Sequence, residues 1–104
     1  MSSSGSALLI FIKNPERGKV KTRLAQSVGE DKALAIYKAL LDHTRLVARS
    51  VDVDRLLFYS KYIDPADSWS EENFHKFVQY GEDLGERMLN AFRTALRTHE
   101  RAVI

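Results

Sequence analysis

Between Lys13 and Arg23 the chain carries five cations, Lys13, Arg17, Lys19, Lys21 and Arg23, against one acid, Glu16. Such a cluster beside turn-forming residues points to an anionic partner. Gly18 can adopt backbone angles closed to other residues and let a ligand approach the main chain. Lys19 and Lys21 offer point charges, Arg23 a planar fork that matches two phosphate oxygens, and Thr22 a hydroxyl. Together they suit a diphosphate. The same residues also read as a solvated basic loop. Neither standard phosphate motif is present. The Walker loop requires G-x-x-x-x-G-K-[S/T], but Lys13 stands at its first glycine and Val20 follows Gly18-Lys19. The G-x-G-x-x-G dinucleotide fingerprint is also absent.

Other chemistry-bearing residues are sparse. His43, His75 and His99 are too scattered for a metal site and read as structural. There is no cysteine, so thiolate nucleophiles, thiolate metal sites and disulfides are excluded. A G-x-S-x-G elbow is missing too.

The elements that must position the basic loop follow from hydrophobic pattern. Ala7 to Lys13 is a continuous apolar run, as in a strand buried on both faces of a parallel sheet. Asn14 to Gly18, with Pro15, is a loop, and Lys19 to Ser27 has room for a turn or two of helix. Gly29 to Arg49 is the clearest helix, with Ala33, Ile36, Tyr37, Leu40, Leu41, Thr44, Val47 and Ala48 on one stripe. Val53 to Ser60 reads as a second strand. Asp64 to Glu72 is turn-rich, with Trp69 as a packing anchor, and Phe74 to Gln79 alternates like a shorter strand near an edge. Gly81 to Thr98 is a second amphipathic helix, and Arg101 to Ile104 begins another strand. This alternation specifies an α/β fold, a mostly parallel sheet with helices on its faces. Ligands in such sheets bind outside the carboxyl ends of the strands, where the basic loop leaves the first one.

The segment K-N-P-x-x-G-x-V-K-T-R-L, Lys13 to Leu24, resembles the opening of a bacterial family of GT-A-type transferases. These are the rSAM/selenodomain-associated or DUF-type glycosyltransferases, which are similar to nucleotide-diphospho-sugar transferases. Gln79-Tyr-Gly-Glu-Asp-Leu-Gly-Glu-Arg-Met88 is similar to the family's Q-x-G-x-D-L-G-x-R-M segment. The two motifs stand in the family's order, and the resemblance spans Ala7 to Ile104. It implies a Rossmann-like three-layer GT-A fold, here truncated after the fourth strand. It also implies a nucleoside-diphosphate sugar or nucleoside triphosphate as donor, and a divalent cation, Mg or Mn. It puts Lys13, Gly18, Lys21, Thr22 and Arg23 on the donor's phosphates and base, and Gln79, Asp83 and Arg87 near the nucleotide. Gln79 could then pair with a base edge, and Gly81 and Gly85 let the backbone pass close to a ligand. Arg87 lies in the first turns of a helix whose amino end favours anions. Read without the family, Asp83 and Glu86 form a capping box and Gly85 eases helix packing. The family's acidic metal-binding turn would follow the fourth strand, so its ligand is expected beyond Ile104. No residue matches it within the chain.

Of the 104 residues, 44% are apolar and 29% charged, with a net charge of +2. That is ordinary for one soluble domain and too balanced for a general nucleic-acid binder. No apolar run nears the roughly 20 residues of a membrane span. Residues 1–6 read as a flexible lead-in without a secretory signal, residues 7–104 as one nucleotide-binding domain, and the location as cytoplasmic. The expected activity is transfer of a sugar or nucleotidyl group, with Lys21 and Arg23 stabilising the departing phosphate and the catalytic residues unnamed. The alternatives are a non-catalytic nucleotide-binding module and a module that self-associates into a homo-oligomer through an open sheet edge.

Overall fold

The computed structural model describes residues 5–104. Their order is β1 (Ser6–Ile12), α1 (Thr22–Val28), α2 (Glu30–Arg49), β2 (Asp54–Tyr59), β3 (His75–Val78), α3 (Leu84–Leu96) and β4 (Arg101–Val103). The four strands form one parallel sheet in the order β3-β2-β1-β4. The expected α/β class is therefore the observed one. Of the lead-in, residues 1–4 lie outside the described residues. Ser6 opens β1 opposite Arg101, and the Gly5 carbonyl accepts from the Arg101 amide at 2.8 Å.

β1 reads as continuously apolar because both its faces are covered. Ala7 and Leu9 join Leu56 and Phe58 on one face, against Ala91 and Ala95 of α3. Ile10 and Ile12 join Leu57 and Tyr59 on the other, against Ala48 of α2 and the loop aromatics Trp69 and Phe74. Burying each large side chain contributes about 1.5–3 kcal/mol, and alanines on the helices let them approach the sheet. Trp69 is buried and meets the Phe74 ring edge-on at 4.8 Å, as expected of an anchor.

Only part of the α2 stripe packs. Ala33 and Ala48 are buried, Tyr37 and Leu41 partly so, while Ile36, Leu40 and Val47 are exposed. The exposed three occupy the flank of the helix next to its buried line. The end of α2 is fixed by Arg55 at the start of β2. Its Nε donates to the Ala48 carbonyl (2.7 Å), and one terminal nitrogen donates to those of Arg49 (2.9 Å) and Val51 (2.8 Å). A cation is thus placed where the helix dipole is negative.

The long connection before β3 is held from beneath. Tyr59 donates to Asp67 Oδ2 (2.5 Å), and Lys76 Nζ donates to Asp67 Oδ1 (2.9 Å) and the Asp64 carbonyl (2.9 Å). Burial first, and the carboxylate second, push the Tyr59 phenol far up, so it stays a donor. Among the described residues no helix is long and apolar enough to cross a membrane.

Candidate functional site: a cationic cleft at the carboxyl ends of the strands

β1 ends at Ile12, and the chain leaves the sheet through two locked residues. The Tyr37 hydroxyl accepts from the Lys13 amide (2.9 Å) and donates to the Lys13 carbonyl (3.0 Å). Burial raises the Tyr37 pKa, against the opposing effect of its bond to Lys13, so the phenol keeps the proton it donates. Asn14 is 2% exposed. Its Oδ1 accepts from the amides of Lys61 (2.8 Å) and Tyr62 (3.2 Å), and its Nδ2 donates to the Tyr62 carbonyl (2.9 Å). Its own amide donates to Ser60 Oγ at 2.9 Å. The loop after β1 is therefore stapled to the loop after β2.

Beyond the staple the basic loop sorts its charges. Arg17 turns to the first turn of α2, pairing with Glu30 (3.1 Å) and Asp31 (2.6 Å). Glu16, the loop's acid, is held by Lys61 at 2.9 Å. Gly18 has φ +78°, and a Cβ there would fall 2.4 Å from Glu30 Oε2. Val20 is buried and pins the loop. Lys21 follows in the left-handed region, φ 50°, as the cap residue of α1. The αL region is unusual for a lysine and costs on the order of 1 kcal/mol.

Lys13 and Lys21 line a cleft of about 580 Å³. Phe11, Ile12, Val20 and Leu84 supply apolar wall, with Tyr37 and Ser60 beside them. Gln79 and Arg87 enter from the loop after β3 and from α3. Four of the eight residues expected at a site, Lys13, Lys21, Gln79 and Arg87, thus meet in one cleft at the carboxyl edge of β1, β2 and β3. Among the described residues none of its three cations forms a salt bridge, whereas Arg17, Lys61 and Lys76 outside it each do.

The other four stand around the cleft rather than in its lining. Gly18 makes the turn. Thr22 and Arg23 are exposed in the first turn of α1. Asp83 caps α3, accepting from the Glu86 amide at 2.8 Å, as the capping reading expects. Gln79 has a structural task as well. Its Nε2 donates to the carbonyls of Ile12 and Phe58, both at 3.1 Å, and so ties the ends of β1 and β2 together. Only its amide oxygen is left to meet a ligand. Gly81, at φ +142°, approaches α3: a Cβ there would lie 2.8 Å from the Arg87 amide nitrogen. The Gly81 carbonyl accepts from Arg87 Nε at 3.0 Å, which aims the rest of the guanidinium.

Sequence reasoning missed Tyr37, Val20 and Leu84 as cleft residues and Asn14 as the staple. Tyr37 and Leu84 carried only a helical signal, and Asn14 only a turn signal beside Pro15. A second depression, about 480 Å³, lies at the opposite edge of the sheet, over Leu56 and Phe77 beside Asp54 and His99. Of its two histidines, His99 is committed: its Nε2 lies 2.6 Å from Asp54 Oδ2, and its Nδ1 3.0 Å from the Ala95 carbonyl. Among the described residues no group of three or more His, Asp or Glu is placed to hold a metal ion.

No family model and no curated protein matches the sequence. Among solved structures the chain is similar to a candidate nucleotide-diphospho-sugar transferase from Desulfovibrio desulfuricans G20. The identity is 34% and the TM-score 0.79, over 93% of this chain. The match spans 43% of that protein, so this chain corresponds to less than half of its length. This chain is thus similar in sequence and fold to part of that candidate transferase.

Proposed function

We propose that this chain forms the nucleotide-binding part of a nucleotide-sugar-dependent glycosyltransferase or nucleotidyltransferase. The Lys13–Arg23 loop and the cleft beside it would take the donor's diphosphate. The observation that carries this reading is the convergence of Lys13, Lys21 and Arg87, without carboxylate partners, on the ligand-binding edge of a parallel sheet. The solved relative, described as a candidate nucleotide-diphospho-sugar transferase, supports the same reading.

In this reading the diphosphate meets Lys13, Lys21 and Arg87, with Thr22 and Arg23 completing the phosphate contacts from the first turn of α1. The base or ribose lies on the apolar wall, and the Gln79 oxygen accepts from it. Fixed cations then stabilise negative charge as it develops on the departing phosphate. Tyr37 and Asn14 hold the loop in place, so little reorganisation accompanies binding.

The test is a thermal-shift titration with UDP, GDP, CDP and ADP and their sugar conjugates. A ligand at 100 times its dissociation constant adds about 2.7 kcal/mol, several degrees for a domain of this size. The control is Lys21→Asn, which removes the cation while asparagine tolerates the left-handed backbone. One nucleotide should raise the melting temperature, and the variant should lose most of the rise. A flat response to every nucleotide, or an undiminished rise in Lys21→Asn, would refute the assignment.

A further inference from the structure

We infer that the cleft binds the diphosphate without a divalent cation, and binds it more weakly once the diphosphate carries one. This rests on the nucleotide reading of the cleft. The resemblance implies a divalent cation, so its fit to the residues present can be tested. Magnesium and manganese take hard oxygen ligands, carboxylates above all. Among the described residues the cleft lining contains no Asp or Glu.

Its oxygen-bearing side chains are mostly spent. Tyr37 Oη is engaged with both backbone groups of Lys13. Ser60 Oγ accepts from the Asn14 amide and donates to Asn14 Oδ1. Of the acids near the loop and α3, four are committed, while Glu82 and Glu86 are exposed and stand outside the cleft lining. Glu16 pairs with Lys61, Glu30 and Asp31 pair with Arg17, and Asp83 caps α3. What faces the cleft is three cations, and a metal ion would add like charge to them. A free diphosphate meets those cations directly, whereas its magnesium complex presents less charge and competes for the same oxygens.

The experiment is calorimetric titration of the full chain with the best-binding nucleoside diphosphate, in EDTA and in saturating Mg²⁺ or Mn²⁺. Lys21→Asn and Arg87→Gln run alongside, with circular-dichroism melts confirming that each is folded. The expected result is binding in EDTA, with lower affinity in Mg²⁺ or Mn²⁺. It should weaken as ionic strength rises, and by roughly tenfold or more in Lys21→Asn. Arg87→Gln also disturbs the Gly81 contact, so Lys21→Asn decides if the former fails to fold. Binding that requires the metal, or is as tight or tighter with it, overturns this inference and leaves the nucleotide assignment standing. No binding of any nucleotide in either condition overturns both.

Discussion

Asn14 shows how much of the cleft depends on one uncharged side chain. It lies next to the first cleft cation, yet it is buried, and its side chain is tied to the loop after β2. Two amides and a carbonyl of residues 61 and 62 have it as their hydrogen-bond partner. Truncation to alanine would leave those part-buried groups without their protein partner. Each buried unpaired group costs roughly 1–3 kcal/mol, partly relieved by water. Asn14→Ala is therefore expected to lose about 2–4 kcal/mol, a large share of the 5–15 kcal/mol of a typical domain. Urea denaturation should show a lower midpoint with an unchanged slope. A loss under about 1 kcal/mol would mean the two loops hold together without the staple.

Among the elements, α3 and β2 are joined by a contact that senses protons. A ring protonated on both nitrogens satisfies the Asp54 carboxylate and the Ala95 carbonyl at once, while a neutral ring gives up one. The hydrogen bond to Asp54 raises the His99 pKa, against the opposing effect of burial, with the Ala95 carbonyl adding to the rise. The charged or titratable groups around it are Asp54 of β2, His75 of β3 and Arg97 after α3. Because the folded value is raised, this stabilisation is fully present below the unfolded value near 6.5 and is lost as pH rises through the folded one. Stability should fall by on the order of 1 kcal/mol across that window, and His99→Gln should flatten the fall. Denaturation midpoints measured from pH 5.5 to 9 check this; equal slopes in both proteins would rule the contact out as the source.

The same elements show what could be read in advance. Strands β1 and β2 were legible because burial on both faces leaves continuous apolar runs, and the Asp83–Glu86 spacing announced the cap of α3. That helix begins at Leu84 rather than Gly81, because Gly81 at φ +142° and the extended Asp83 hold the chain out of helical geometry. The start of α1 was illegible, since a left-handed lysine has no signature in residue type. His99 was read as structural, and it is, but its partner lies 45 residues away. Asn14 and Ser60 stand 46 apart. Pairings of that kind follow from strand register, which periodicity does not encode. The cleft was half legible for the same reason: charge clusters are local in sequence, and the apolar wall that accompanies them is not.

Over the whole molecule, the proposed site and the His99 fastening occupy opposite edges of one sheet. The cleft sits where β1, β2 and β3 end, and the His99–Asp54 contact where β2 begins, with a strand of six residues, roughly 20 Å, between them. β1 and β2 pair along six residues, whereas β4 pairs with β1 at only three positions. Local openings should therefore be cheapest in β4 and in α1, which buries no residue, and dearest in β1 and β2. Hydrogen exchange read by mass spectrometry can follow both edges at once. Without ligand, peptides covering β1 and β2 should exchange slowest and those covering β4 and α1 fastest. With a bound nucleoside diphosphate, protection should rise in residues 13–23 and 79–87, because a ligand there must be released before either loop opens. Residues 97–104, at the other edge, should change only as far as global stability does. Protection spread evenly over both edges would mean the ligand acts by general stabilisation, and protection confined to residues 94–99 would move the site to the depression beside His99.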